Sequence, residues 1–447
     1  MTLVSGARAE DGCAIKPFRW QEDCSELRTA GVLSGRDRIR YLRLNEEGSM
    51  WLTLGGEYRF KSESLDAPDF DVRPSDRSYT AIDQRWLLHA DLRTQIGIRV
   101  FVQMSAAADA GRRPGKRPFD ASHPDLAQAF LDIPLPGPGS TTLRLGRQEF
   151  NAGGNRLVST RDAANLRRAF DMSELEHSLG DYSAAAFYGR PVQNRIAAFD
   201  DRADPGELFY GGWIARAWSN VATAPALNLF FFRRDRKTAF YEEGVASDRR
   251  RTIGLRLTGA DRRFDYAAQI AAQNGSFGPA KIRALGFAGD MGRHLDGWGR
   301  PRIAMSFGYA GGDRRRGDGT LGTFDVIYPN LGYFTDAPVY YPGNTADVQP
   351  NVTVTLRSSL TLRAGTDVIY RVSKRDAVYA PPGIPLMAGN GTGPSFVTAL
   401  SYLRADWSIN PHVLVTLSGV HGSTGALVRQ SGGRDLNYGS FAIDFRI

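Results

Sequence analysis

Residues 82–93 read IDQRWLLHADLR, and the order of apolar and polar side chains in this stretch decides the fold class. The even positions are apolar with the exception of Gln84: Ile82, Trp86, Leu88, Ala90 and Leu92. The odd positions carry most of the polar groups: Asp83, Arg85, His89, Asp91 and Arg93. Because successive side chains of a β-strand point to opposite faces, this stretch predicts a strand with one apolar and one polar face.

The same alternation recurs along the whole chain. Residues 50–61 and 96–106 repeat it, and comparable segments follow as far as residues 438–447. Together they predict about 18 strands, a number within the range of transmembrane barrels. A soluble β-sandwich would expose its polar face around a single core layer, and a propeller would show a repeat of about 40–50 residues, which is absent. We therefore predict an all-β, transmembrane antiparallel β-barrel over residues 48–447.

Hydropathy limits how such a chain can cross a membrane. The mean hydropathy is −0.33, and the sequence contains no run of about 18 apolar residues, the length that a membrane-spanning helix requires. A closed barrel is the other structure that satisfies every backbone polar group within lipid. We therefore expect the apolar strand faces to contact outer-membrane lipid.

Arginine dominates the positive charge of the chain. The formal net charge is +8, and 50 of the 56 Lys and Arg residues are arginines. One interpretation is a GC-rich genome. The other is a surface or pore that binds carboxylates through the forked guanidinium group. Composition does not distinguish the two, so the positions of the arginines must decide.

Strand alternation places many arginines on the face opposite to lipid. An arginine that faces the middle of a bilayer costs about 2–4 kcal/mol, so these side chains are expected to line the lumen. The first of them are Arg59, Arg85, Arg93, Arg99 and Arg144. Many would pair with acids on the same face. The excess of arginine predicts a positive lumen, and rings of arginine select anions.

The densest polar stretch is residues 144–171. Besides Arg144 and Arg156 it contains Arg147, Glu149, Arg161, Asp162, Arg167, Arg168 and Asp171. Guanidinium groups spaced along an extended chain suit the successive carboxylates of a polymer. A salt-bridge network that braces the barrel wall is an equally good interpretation, and the two are compatible.

The N-terminal region precedes the first predicted strand. Ala7-Arg8-Ala9 has the small-x-small pattern that ends secretory signals, so we expect residues 1–9 to be the remnant of a signal peptide. Residues 10–47 would then form a periplasmic segment. Cys13 and Cys24 are the only cysteines and favour one local disulfide over two free thiols. No nearby histidine completes a metal site.

Aromatic clusters and long loops are the remaining features. Trp213, Phe230 to Phe232 and Trp407 lie near predicted strand ends, and we expect them in the aromatic girdles of a membrane barrel. Residues 311–349 and 373–394 form two long loops that could fold into the lumen as a gate or lie outside as a lid. The run Arg314 to Arg316 is better explained as a solvated loop than as a charge gate.

Several motifs, taken in order, resemble those of a known family. They are WQEDCSEL at 20–27, WLTLGGEYRF at 51–60, QRWLLHADL at 84–92, RVFVQ at 99–103, DLAQAFLDI at 125–133, LRLGRQEF at 143–150 and RLVSTRDAANLRRAFD at 156–171. This series resembles the alginate export family of outer-membrane porins. The last strand, residues 438–447, also resembles a bacterial outer-membrane insertion signal, although it ends in Ile447 and not in an aromatic residue.

The resemblance implies a monomeric eighteen-stranded barrel with an arginine-rich constriction and loops that occlude it. The constriction and its supporting residues would be Arg147, Glu149, Arg161, Asp162, Arg167 and Arg168. Implied partners are outer-membrane lipid, an anionic polysaccharide or oligosaccharide, and a periplasmic secretion scaffold. We expect no cofactor, no metal and no nucleic-acid partner.

Three functions follow from these expectations. The first is passive, anion-selective passage of an acidic, alginate-like polysaccharide or oligosaccharide. The alternative is an uptake porin for anionic oligosaccharides or other small solutes. A barrel enzyme is the least favoured, because the six histidines lie outside any nucleophile motif and G-x-S-x-G is absent.

Overall fold

The computed structural model describes residues 13–29, 35–73, 77–218, 220–221, 223–330, 332 and 334–447. The predicted signal remnant at residues 1–9 lies outside these residues. Eighteen long strands form the molecule, as the sequence predicted. They are β1 (Met50–Asp66), β2 (Tyr79–Thr94), β3 (Arg99–Ala110), β4 (Ser122–Leu135), β5 (Ser140–Glu149), β6 (Ala169–Leu179), β7 (Tyr182–Gln193), β8 (Glu207–Ala217), β9 (Ala226–Tyr241), β10 (Gly244–Ala260), β11 (Phe264–Phe277), β12 (Ala280–His294), β13 (Arg302–Ala310), β14 (Thr345–Arg357), β15 (Leu360–Arg371), β16 (Phe396–Asn410), β17 (Val413–Thr424) and β18 (Leu436–Arg446).

Each strand pairs antiparallel with the next one along the chain. The last strand also pairs with the first, with Tyr58 opposite Phe445 and Arg59 opposite Asp444. This pairing closes the sheet into a barrel. Closure leaves no strand edge without a hydrogen-bonding partner, which is the condition for a sheet to lie in lipid.

The remaining elements are short. The helices are the α-helices Gly35–Arg40 and Ala426–Gln430 and the 3₁₀ turns Arg19–Gln21, Ser25–Thr29, Pro68–Asp71 and Gly153–Asn155. The short strands are Leu42–Arg43, Arg202–Ala203, Thr320–Leu321, Val378–Ala380 and Ile384–Met387. Across the part of the chain that the structure describes, no helix combines the length and the apolar character needed to cross a membrane.

Side chains of the strands divide between two faces with the predicted period of two. On β2, Leu88 is 65% exposed on the outer face, whereas Arg85 and Asp91 are buried on the inner face. Outer positions of distant strands are apolar and exposed as well, for example Ile303 and Leu403. The outer surface is therefore an apolar band, and the charged side chains of β2 lie inside.

The aromatic prediction is only partly right. Phe231 and Trp407 are exposed on the outer face, but Phe230 and Phe232 are buried inside the barrel. Trp213 also packs against the interior cluster. The girdle interpretation was wrong for these three residues because neighbouring positions of a strand face opposite sides.

The two ends of the barrel differ. At the end where β1 begins and β18 ends, the strands are joined by short turns such as 95–98, 180–181 and 411–412. We call this the short-turn end. Most of the long connections, including 150–168, 311–344 and 372–395, leave the opposite end. The loop predicted at 311–349 is shorter because β14 begins at Thr345.

These long loops fold into the barrel. Phe324, Val326 and Tyr328 of loop 311–344 belong to one buried apolar cluster with the wall residues Phe187 and Phe209. A bridge between Val158 and Tyr328 joins loops 150–168 and 311–344. The run Arg314 to Arg316 is exposed, in agreement with a solvated loop tip. Apolar packing of this size holds the loops in the lumen as a second core.

The described residues before β1, 13–29 and 35–49, close over the short-turn end. A disulfide links Cys13 to Cys24, whose Cα atoms are 4.6 Å apart. Both cysteines are buried in a small cluster with Leu27, Tyr41 and Trp51. Since Trp51 belongs to β1, this cluster fixes the N-terminal segment to the barrel wall.

Candidate anion pathway in the lumen

A network of charged side chains spans the lumen between β1, β2 and loop 150–168. Arg59 donates to Asp444 at 2.6 Å, and Arg85 pairs with Glu57. Asp162, on the loop, lies 3.1 Å from Arg85 and 3.6 Å from Arg59. The loop carboxylate therefore joins arginines of two adjacent strands.

Arg167 and Glu149 extend this network. Arg167 donates to Asp162 at 2.6 Å and lies 3.6 Å from Glu149. Burial raises the pKa of Asp162, but the charges of Arg167, Arg59 and Arg85 outweigh it and hold that pKa well below its ordinary value. The carboxylate thus stays ionised and anchors the loop to the wall.

Arg93, Arg99 and Arg144 lie nearer the short-turn end. Arg99 donates to Asp91 at 2.7 Å, and Arg93 donates to the other oxygen of Asp91 at 3.1 Å. Arg144 forms a two-pronged pair with Asp132 at 2.6 and 2.8 Å. On β5 and β6, Arg147 and Asp171 form a similar pair at 2.7 and 3.1 Å. These pairs correspond to the bracing interpretation of the sequence.

Two of the twelve predicted residues differ from the other ten. Within the described residues, neither Arg161 nor Arg168 has a carboxylate oxygen within 4.0 Å of its guanidinium. Arg161 donates to the Leu166 carbonyl at 3.3 Å and to Asn194 Oδ1 at 3.4 Å, and its buried Nε has no hydrogen-bond partner. Arg168 donates to the carbonyls of Ser159 and Tyr328 at 2.8 and 2.9 Å.

Arginine stays protonated in proteins, so both guanidinium groups carry a positive charge at neutral pH. Burial lowers the pKa of Arg161, and the nearby charge of Arg168 lowers it further. Burial also lowers the pKa of Arg168, to about 10. The aromatic faces beside them favour the charged form, because Arg161 lies 4.2 Å from the ring centre of Phe119 and Arg168 lies 5.2 Å from that of Tyr328.

The two arginines line one cavity with aromatic and proline side chains. Its cavity volume is about 90 Å³, which is room for a few water molecules or a small anionic group. The lining comprises Phe119, Arg161, Arg168, Arg234, Ile327, Tyr328, Pro329, Asn330, Tyr340, Tyr341, Pro342, Pro381 and Pro382. Residues from loops 111–121, 150–168, 311–344 and 372–395 thus meet at one point in the lumen, with β9 supplying Arg234.

The aromatic inner wall and the acid that fixes loop 311–344 were not predicted from the sequence. Phe187 and Phe209 pack against each other with tilted rings whose centres are 4.9 Å apart, inside the barrel. The alternation of side chains along β7 and β8 could have predicted that both rings face the interior. Asp325, by contrast, lies in a loop and meets Arg236 of β9, and no local pattern predicts that contact.

One acidic group stands apart from the arginine network. Carboxylate oxygens of Asp125, Asp200 and Asp201 lie within 4.8 Å of one another. Asp125 accepts hydrogen bonds from the backbone N–H groups of Leu126, Asp200 and Asp201. Its oxygens therefore already serve to hold loop 194–206 against β4.

Comparisons with known proteins agree with this architecture. The model of the family described as "Alginate export" matches residues 50–441. No curated protein matches the sequence at a significant level.

Solved structures with the same fold are outer-membrane channels. Acinetobacter baumannii OccAB1 is 11% identical, with a TM-score of 0.60 over 92% of this chain and 99% of that one. Pseudomonas aeruginosa OccK9 (OpdG) is 11% identical, with a TM-score of 0.60 over 89% and 98%. Pseudomonas aeruginosa OccK2 (OpdF), solved in complex with glucuronate, is 11% identical, with a TM-score of 0.57 over 92% and 99%. Since the family model spans nearly the whole barrel, the chain belongs to the alginate export family and is a porin-like β-barrel of the outer membrane.

Proposed function

We propose that the protein gives passive, anion-selective passage to an acidic polysaccharide or oligosaccharide of the alginate type. The observation that carries the proposal is the pair Arg161 and Arg168, two lumen cations without a carboxylate partner among the described residues, beside aromatic rings. A guanidinium binds a carboxylate through two parallel hydrogen bonds. The other predicted arginines each have a carboxylate oxygen of the wall or of loop 150–168 within 4.0 Å, so these two supply the unpaired positive charge at this cavity.

The cavity chemistry suits a uronate unit. Its guanidinium groups fit the carboxylate, and the ring faces of Phe119 and Tyr328 fit the apolar face of a sugar ring. Pairing with backbone carbonyls keeps each arginine in place without cancelling its charge. Binding of this kind is strong enough to admit an anion and weak enough to release it, as conduction requires.

An uptake porin for anionic oligosaccharides or small solutes is the second candidate. The glucuronate complex of OccK2 favours it, since that protein shares the fold and its ligand is a single acidic sugar. Both candidates use the same arginines and differ in direction and in cargo length. We propose a channel in either case and not an enzyme, with a monomer as the working unit.

Orientation and partners complete the proposal. Short turns of outer-membrane barrels face the periplasm, so residues 10–47 would be periplasmic and residues 1–9 the end of a signal peptide. A periplasmic secretion scaffold would then meet the short-turn end. Lipid contacts the outer band.

Planar-bilayer recordings test the function. We expect anion-selective current through the wild-type protein and block by oligouronates. Arg161→Ala and Arg168→Ala should each weaken the block about 10- to 100-fold, the effect of losing one charged hydrogen bond of about 1.5–3 kcal/mol. Arg315→Ala removes the same charge at an exposed loop tip and should leave the block unchanged.

Cargo length separates the two candidates. Passage of a polysaccharide predicts that block strengthens with the number of uronate units, because successive carboxylates reach more than one arginine. Uptake of small solutes predicts equal block by a monomer and a long oligomer. Cation selectivity, or block that is insensitive to both arginine variants, would overturn the proposed function.

A further inference from the structure

The N-terminal residues 13–29, which we call the plug segment, lie over the arginines of the short-turn end. We propose that the plug segment is a disulfide-closed gate that competes with anions for these arginines. The inference concerns access to the lumen and does not depend on the identity of the cargo. Three sets of contacts carry it.

Backbone carbonyls of the plug segment occupy lumen guanidinium groups. Arg167 donates to the Pro17 carbonyl at 3.2 Å, and Arg99 donates to the Trp20 carbonyl at 2.7 Å. Arg93 donates to the Glu22 carbonyl. Within six residues, three oxygens of one chain therefore meet three arginines from different elements of the barrel. An extended anionic polymer would present acceptors to these same groups.

Aromatic side chains fill the space between these arginines. The guanidinium of Arg144 lies 5.2 Å from the ring centre of Trp20, and that of Arg167 lies 5.3 Å from the ring centre of Phe18. The Trp20 indole Nε1 donates to Glu149 at 3.2 Å. Trp20 thus covers Arg144 and Glu149, which both belong to β5.

Arg19 anchors the plug segment to the closing seam of the barrel. Its buried guanidinium donates to the carbonyl of Ile447 and lies 2.9 Å from Glu22. Gly55 of β1 provides the room, because a Cβ at this position would lie 3.0 Å from Arg19 Nη2 and 2.7 Å from the Ile447 oxygen. The space that holds the Arg19 guanidinium is therefore formed by β1 of the barrel wall.

The plug segment combines a fixed base with a polar tip. Cys13, Cys24 and Leu27 pack in the apolar cluster against β1, whereas the residues between the cysteines contact the barrel mainly through polar and cation–aromatic contacts. The disulfide closes residues 13–24 into a loop and limits the conformations open to Trp20 when it is released. Loss of the disulfide should therefore favour the released state, in which anions reach the arginines.

Single-channel recordings with chloride as the only permeant anion test the gate. Trp20→Ala and the double change Cys13→Ser with Cys24→Ser should each increase the time spent open, by roughly tenfold for the loss of one such contact. Trp298→Ala is the matched control, because Trp298 is 79% exposed in a turn at the same end. It should behave like the wild type.

Reductant provides a second measurement. Dithiothreitol should open the wild-type channel to the level of the double serine variant and leave that variant unchanged. Heat-modifiable migration in gels confirms that each variant forms a closed barrel. Folded variants that open no more often than the wild type, or a reductant effect that persists without the cysteines, overturn the gate. Increased chloride current without block by uronates would leave the gate standing and overturn the cargo proposal.

Discussion

Asp325 fixes loop 311–344 inside the barrel, and its neutralisation should release that loop. The side chain is buried, and both of its carboxylate oxygens are occupied. Tyr241 and Tyr341 each donate to it at 2.8 Å. Arg236 forms an ion pair with it, and Arg234 lies 3.7 Å away. One loop carboxylate therefore meets two strand arginines and two phenols.

The change Asp325→Asn keeps the shape of the side chain and removes its charge. Removing one member of a buried ion pair costs about 3–5 kcal/mol. The amide oxygen still accepts hydrogen bonds, and Arg236 keeps its contact with Asp248 at 3.1 Å, so we expect the lower end, about 3 kcal/mol. Since each 1.4 kcal/mol is a factor of ten, the undocked fraction of the loop should rise about 100-fold.

Hydrogen exchange of the amides of residues 322–328 measures this undocking, because local opening sets their exchange rate. Asp318→Asn serves as the control, since Asp318 lies at the exposed tip of the same loop and, among the described residues, accepts only from the nearby Thr320 N–H at 2.8 Å. We expect faster exchange and larger conductance for Asp325→Asn alone. Equal exchange in the two variants would refute the idea that charge pairing holds this loop in the lumen.

Three further predictions concern the outer face, the inner wall and the loop contact. Leu88→Arg should lower the free energy of unfolding in lipid by about 2–4 kcal/mol, measured by urea titration, because position 88 faces the bilayer; an unchanged value would contradict that placement. Phe209→Ala should lower it by about 3–5 kcal/mol, because the ring is fully buried among interior aromatic groups; an unaltered melting temperature would show that the loops do not rest on this wall. Burial and the charge of Asp376 raise the pKa of Asp313 to about 6, so its contribution to loop docking is complete at low pH and is lost as pH rises through about 6. The protection factors of the amides of residues 313–323, which correct for the intrinsic rise of exchange with pH, should therefore fall between about pH 4 and 6, and Asp313→Asn should remove most of this fall; a variant with the wild-type pH profile would contradict the assignment.

The sequence predicts well which face of a strand each side chain occupies. Arg85 and Leu88 point to opposite sides of β2 because the period of a strand is two and lipid excludes the guanidinium. The same rule applied to Phe230 and Phe232 would have placed them inside. The girdle interpretation counted aromatic residues as a cluster without asking which face each one occupies.

Loop destinations could not be predicted in this way. Asp162 meets Arg85 across 77 residues, and Arg168 donates to the carbonyl of Tyr328 across 160. Such contacts depend on the register of many strands and on which apolar loop residues fit the interior. The sequence therefore predicted an arginine-rich lumen, but the contrast between Arg161 and its paired neighbours required the folded structure.

The seam between β1 and β18 has a consequence for the making of the protein. Gly56 and Ile447 exchange two backbone hydrogen bonds, at 3.0 and 3.1 Å, so Ile447 extends the ladder between β18 and the first strand. During synthesis, one edge of β1 therefore stays unpaired until all the strands up to β18 have been made. An unpaired strand edge is excluded from lipid, and in water it forms hydrogen bonds with strands of other chains. Before the ring is joined, the edge of β1 therefore has to be kept from pairing with other strands.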